Sequence, residues 1–180
     1  YFKTPAYKRN DHMRFLNIFS FYQKVKKNAR KISECFNPHA VVGSSTYPND
    51  VKLAKYIADF NGAKVAYEIH DIWPLSLIEL YHFSTKNPLI RFLQKAENYA
   101  YENSDVVISI LSAADRHIKE LGYNDVNFVH VPNGISESAE PAPAPESIKS
   151  AISEFKKNGE FVCMYLGGFA KANALDEFVA

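Results

Sequence analysis

The chain has 180 residues, with 21 Lys and Arg against 20 Asp and Glu, 47% apolar residues and 23% charged. Those proportions exclude general disorder and set the length at one domain, or one domain and part of another. No apolar run approaches the roughly 20 residues needed to span a bilayer, and Cys35 and Cys163 stand far apart with no C-x-x-C spacing, which argues against a disulfide scaffold or a zinc knuckle and for a reducing compartment.

The even charge total hides an asymmetry. The first 34 residues carry nine Lys and Arg against Asp11 and Glu34, which leaves twelve basic against eighteen acidic residues in the remainder. The same segment is rich in Phe and Tyr. Basic and aromatic residues interleaved on a helix suit an anionic membrane surface. The plainer alternative is an amphipathic helix that turns Phe15, Ile18, Phe19 and Tyr22 to the core and its lysines to water. No nucleic-acid-binding signature accompanies the charge, so no nucleic-acid partner is expected.

Next come apolar runs in alternation. Ala40–Ser45 (A-V-V-G-S-S) reads as a buried strand, and residues 49–61 as a helix closed by Gly62. Lys64–Ile69 (K-V-A-Y-E-I) is the second strand and runs into His70-Asp71-Ile72-Trp73-Pro74. Residues 88–101 form a helix with Pro88 in its first turn. Residues 105–110 form a strand, 112–121 a helix capped by Ser112, and 126–131 a strand ending at Pro132-Asn133-Gly134. Strands alternating with helices predict an α/β fold, a Rossmann-like parallel sheet with helices on both faces. Its binding edge is the carboxyl ends of the strands, where Ser44, Ser45, His70, Asp71, Ser112, Asn133 and Gly134 collect.

The proline-rich residues 136–145 break the rhythm as an extended linker. Glu146–Lys157 then reads as a helix and residues 161–166 (F-V-C-M-Y-L) as a strand leading into Gly167-Gly168. The expected organisation is a Rossmann-like domain at 1–135, a linker and helix at 136–160, and the first strand, turn and helix of a second α/β domain at 161–180.

Residues 68–80, E-I-H-D-I-W-P-L-S-L-I-E-L, carry the most information. They resemble the E-V-H-D-L-W-P segment of retaining GT-B glycosyltransferases of family 4, above all those that build bacterial capsule and O-antigen polysaccharides. Four further segments resemble that family in the same order: V-V-G-S-S-T-Y-P at 41–48, Q-K-A-E-N-Y-A-Y-E-N-S-D at 94–105, V-P-N-G-I at 131–135 and Y-L-G-G at 165–168. Ser136 departs from it, since members often carry Asp there. The family's first strand and Gly-rich loop would precede residue 1. Its diphosphate-gripping Arg/Lys pair and E-x7-E motif would follow residue 180. The resemblance thus implies most of an acceptor-side domain and the opening of a donor-binding domain, inactive as a transferase by itself.

The resemblance implies a reaction that moves a sugar, with retained configuration, from a UDP- or GDP-sugar to a lipid-linked saccharide, without metal or other cofactor. It implies a cytoplasmic protein, peripheral on the inner face of the cell membrane. His70 would hydrogen-bond the donor sugar; the alternative is a core histidine bonded to a carbonyl. Asp71 would accept from an acceptor hydroxyl, or form an Asx turn before Trp73-Pro74. Glu68, two residues before His70 on one strand face, would orient it or pair elsewhere. Ser44, Ser45 and Thr46 would bind sugar hydroxyls, or cap the following helix. Asn133-Gly134 would form a turn near the hinge. Gly167 and Gly168 would let backbone amides approach a diphosphate. Two rival functions fit the same residues: a sugar-nucleotide epimerase of the same fold, and a non-catalytic module that binds a saccharide or a partner.

Overall fold

Helical periodicity in one stretch and short apolar runs in the next assemble, in the computed structural model, into β-α units on one sheet. The structure describes residues 1–7, 12–45, 47–136, 142–169 and 171–179. It divides into two compact units, Tyr1–Asn133 and Gly134–Ala180.

The first unit opens with helix α1 (His12–Phe36), followed by β1 (Ala40–Ser45), α2 (Asp50–Ala58), β2 (Lys64–Ile69), α3 (Leu75–Tyr81), α4 (Pro88–Glu102), β3 (Val106–Ser109), α5 (Ala114–Glu120) and β4 (Phe128–His130). The four strands lie in the order β1-β2-β3-β4, every pair parallel. The fold is therefore α/β, with an all-parallel sheet flanked by helices in a Rossmann-like arrangement. When strands follow one another in sequence order, crossovers of one hand carry their helices to one face. The main core fills that face: Val65, Tyr67 and Ile69 of β2 and Val107 of β3 meet Val51, Ala54 and Ala58 of α2, Ala100 and Tyr101 of α4 and Ile118 of α5. Each buried Val or Ile side chain there contributes about 1.5–3 kcal/mol. On the other face Val42 is 54% and Val129 42% exposed.

Gly43 lies close under α2. A Cβ there would lie 3.2 Å from the Val51 backbone, so a side chain at this position would push α2 away from β1 by a few tenths of an ångström. Gly62, at φ +70°, takes the left-handed turn after α2 that other residues resist. Asn87 caps α4, its side chain accepting from the Leu89 N–H at 2.9 Å. The predicted Ser112 cap does not form: α5 starts after Ala113 without a side-chain cap, and Ser109 takes the Leu111 N–H instead. Helix α3 is absent from the sequence-based expectation, because its seven residues, about two turns, are too few to show a period.

α1 corrects a second expectation. It packs on the back of α2 through Val25 and Ala29 against Leu53 and Ile57, so its buried stripe is Val25, Ala29 and Ser33. Of the expected core face Tyr22 packs against this cluster, whereas Phe15 and Phe19 are 65% and 61% exposed.

The second unit holds α6 (Glu146–Lys157), a 3₁₀ turn at Lys171–Asn173 and α7 (Leu175–Val179). The strand predicted at 161–166 is not formed. Its residues pair with no other strand among the described residues, and Phe161 and Leu166 are largely exposed. A strand exists only through a ladder partner. Within the linker, residues 137–141 lie outside the described residues.

One polar network sits inside the core. The Glu97 carboxyl group on α4 is 1% exposed and accepts from Gln94 Nε2 at 2.7 Å, from the Tyr101 hydroxyl at 2.9 Å and, at 2.9 Å, pairs with His117 Nε2 on α5. Burial, with Glu97 alongside, raises the Tyr101 phenol above its ordinary value. Glu97→Ala leaves the buried Tyr101 hydroxyl without its acceptor and takes one partner each from the partly buried Gln94 and His117, and the expected loss is about 2–3 kcal/mol. Urea unfolding measures it; a loss below about 1 kcal/mol removes the network from the stabilising core.

Candidate functional site at the carboxyl ends of the strands

Parallel pairing sets Ser44 opposite Glu68 and Ser45 opposite Ile69. Paired residues of neighbouring strands project to the same face, and so do residues two apart on one strand. Ser44, Glu68 and His70 therefore meet where β1 and β2 end. Ser44 Oγ lies 3.0 Å from His70 Nε2, and Glu68 Oε2 lies 3.4 Å from the same nitrogen. The imidazole is 47% exposed and the Glu68 side chain 35%. His70 is thus no core histidine: it stands at the surface with two side-chain partners.

The buried neighbour Ile69 anchors this edge. Its carbonyl accepts from the Ser109 hydroxyl at 3.1 Å across to β3. Ser109 is fully buried and spends its oxygen's acceptor capacity on the Leu111 N–H at 3.0 Å. One serine so fixes the strand end that carries His70 and the start of the next loop. A serine inside an apolar strand carries no motif, so the sequence alone does not single it out.

Both oxygen partners face one ring nitrogen, and this decides the chemistry. In a nucleophilic Ser-His-acid relay the carboxylate holds Nδ1–H while Nε2 takes the serine proton. Here the carboxylate and the serine share Nε2, so the arrangement is not such a relay. A lone pair on Nε2 would face a carboxylate oxygen. The favoured tautomer therefore carries its proton on Nε2 and leaves Nδ1 as an acceptor. The cluster offers an acceptor nitrogen, a hydroxyl and a carboxylate edge, a set suited to hydroxyl groups.

The other expected site residues are placed as follows. Asp71 is exposed, and its side chain has no partner among the described residues. The Asx-turn alternative is not realised, since the Trp73 N–H goes to the Asp71 backbone carbonyl at 3.1 Å. Ser45 ends β1, but its side chain and all of Thr46 lie outside the described residues. Ser44 is engaged by His70, and Asn49, which precedes α2, makes no side-chain cap. Asn133 and Gly134 are exposed and flank the boundary between the two units. Gly167 and Gly168 are exposed in the second unit, where the Gly168 carbonyl accepts from the Tyr165 hydroxyl at 3.1 Å and from Asn173 Nδ2 at 2.6 Å.

A second cluster marks the opposite end of the sheet. Asp105 takes Lys64 Nζ at 2.7 Å and the Val65 N–H at 2.8 Å, and these bonds, the lysine's first, hold its carboxyl below the ordinary 3.8. Tyr123, desolvated and donating to Glu102, is pushed up to about 12. These groups tie strand starts and a helix end together. Among the described residues no group of three or more His, Cys, Asp or Glu is placed to hold a metal ion.

Comparison with protein-family models, curated proteins and solved structures finds no match for this chain.

The tautomer is open to direct measurement. In ¹⁵N-labelled protein near neutral pH, long-range ¹H–¹⁵N spectra are expected to show His70 protonated at Nε2. Glu68→Gln removes the charge that selects this form and is expected to mix the two tautomers. A His70 protonated at Nδ1 in the native protein contradicts the assignment.

Proposed function

We propose that this chain is the acceptor-side part of a retaining nucleotide-sugar glycosyltransferase, acting in the synthesis of a bacterial surface polysaccharide. The observation that carries the reading is the convergence of Ser44, Glu68 and His70 at the carboxyl edge of a parallel sheet, inside the segment that resembles E-V-H-D-L-W-P. Ligands of open α/β sheets bind at that edge, and the polar groups gathered there suit sugar hydroxyls. His70 Nδ1 accepts from a hydroxyl of the donor sugar, Ser44 and Glu68 hold the ring, and Asp71 meets the acceptor. Gly167 and Gly168, in the second unit, are assigned to the nucleotide diphosphate. The donor is a UDP- or GDP-sugar, and the acceptor a lipid-linked saccharide. The acceptor hydroxyl attacks the anomeric carbon on the face from which the diphosphate departs, and that leaving charge is met by amides and cations.

A lipid-linked acceptor places the protein at the cytoplasmic surface of a membrane. No helix among the described residues is long and apolar enough to cross one. α1 supports peripheral contact instead. Phe15, Leu16 and Phe19 are exposed on its N-terminal turns, and Lys24, Lys26 and Lys27 follow within two turns. Lys24 is drawn to the Lys3 carbonyl, and Lys26 sits over the Tyr56 ring at 5.7 Å; both remain exposed.

Turnover tests the first part. In a polypeptide that contains this sequence and a complete donor-binding domain, His70→Ala is expected to cut sugar transfer about 10²–10⁴-fold with folding intact. Near-normal turnover removes His70 from the reaction.

Vesicle sedimentation tests the second. Each basic residue near an anionic surface contributes about 1 kcal/mol, screened by salt. Reversing Lys24, Lys26 and Lys27 to Glu is expected to release the protein from anionic vesicles, with weak binding to neutral ones throughout. Equal binding to both lipids, or to neither, contradicts membrane contact.

A further inference from the structure

Two aromatic rings stand one loop beyond the polar cluster. Tyr47 follows Ser44 by three residues and Trp73 follows His70 by three. Three residues reach at most about 10 Å, and Ser44 already touches His70. The rings meet edge to face, their centroids 5.5 Å apart and their planes at 81°. The loops after β1 and β2 are thus joined twice, once by the polar contact and once by the aromatic one.

Trp73 differs from its neighbours. Pro74 is fully buried, and Ile72 packs on the main core. Trp73 is half-buried and belongs to neither core cluster. Its indole N–H has no partner among the described residues. A large, partly open ring with an unused donor, held at a set angle by a second ring, is equipped for a ligand with one apolar face and a polar rim. A pyranose has that character: its C–H bonds form an apolar face and its hydroxyls a polar edge. Small-molecule sites pair an apolar wall with a few placed polar groups. Here the indole supplies the wall, and Ser44, His70 Nδ1 and the indole N–H supply the polar groups.

We infer that Trp73, held edge-on by Tyr47, is the surface on which a saccharide ring stacks while its hydroxyls reach the Ser44–His70 cluster. The inference rests on the reading of this edge as a saccharide site and adds to it the residue that binds the ring face.

Trp73 is the single tryptophan of the chain, so its emission reports on this position alone. The chain is titrated with cellobiose and with N,N′-diacetylchitobiose, and with sorbitol as an acyclic polyol control. Tryptophan emission, iodide quenching and the backbone amide signals of Ser44 and His70 are followed together. At least one disaccharide is expected to shift emission to shorter wavelength, to protect the indole from iodide, and to do so at the midpoint of the amide shifts; sorbitol does neither. Read from the amide signals, Trp73→Phe is expected to keep that midpoint within about threefold. Trp73→Ala is expected to raise it at least about tenfold, equivalent to about 1.4 kcal/mol. Amide shifts with unchanged emission and quenching overturn the stacking role and leave the saccharide reading standing. No response to either disaccharide in any signal overturns both. The quenching measurement uses the native protein and does not depend on how a variant folds.

Discussion

The parallel register between Ala40–Ser45 and Lys64–Ile69 is the constraint on which the rest depends. Side chains alternate along a strand, so a slip of one residue would turn every side chain of β1 to the opposite face. The register is held by packing: Val65, Tyr67 and Ile69 must face α2 and α4, and Gly43 must sit under Val51. With those positions filled, Ser44, Glu68 and His70 have one shared face left to occupy. The polar cluster is thus a consequence of the hydrophobic core.

The backbone beneath the exposed site is tied to the core on both sides. Burial of Ile69 and Pro74 on either side, and the Ser109 hydroxyl on the Ile69 carbonyl, fix the backbone that carries His70. The Tyr47–Trp73 contact ties the next turn of each loop. At the other end, Asp105 bonds to Lys64 and Val65 and keeps the starts of β2 and β3 aligned. The Asp105 bonds gather at the strand starts, and the Ser44, Glu68 and His70 cluster at the strand ends.

Much of this was legible in the sequence, for identifiable reasons. β1 and β2 are bounded as their apolar runs predict, because a buried parallel strand is a short continuous apolar run between breakers. The Glu68–His70 relation follows from period-two alternation alone. Other features were not legible. The stripe that α1 buries depends on where α2 lies, and no local pattern encodes that; Phe15 and Phe19 fit the helical period and still face outward. Residues 161–166 have strand composition, yet a strand needs a partner, and composition names none. The Ser44–His70 contact, the Ser109 bond and the Tyr47–Trp73 pair join residues 26 to 40 positions apart. They become visible only once the register is known.

The proposal that this edge serves sugar transfer with retention is decided by the stereochemistry of a product. A polypeptide that contains this sequence and a complete donor-binding domain is incubated with a UDP- or GDP-sugar labelled with ¹³C at the anomeric carbon and with a lipid-linked saccharide acceptor. A new glycosidic signal with the anomeric configuration of the donor is expected, formed only when the acceptor is present. An epimerised free sugar without acceptor, or a glycosidic product of inverted configuration, would contradict it.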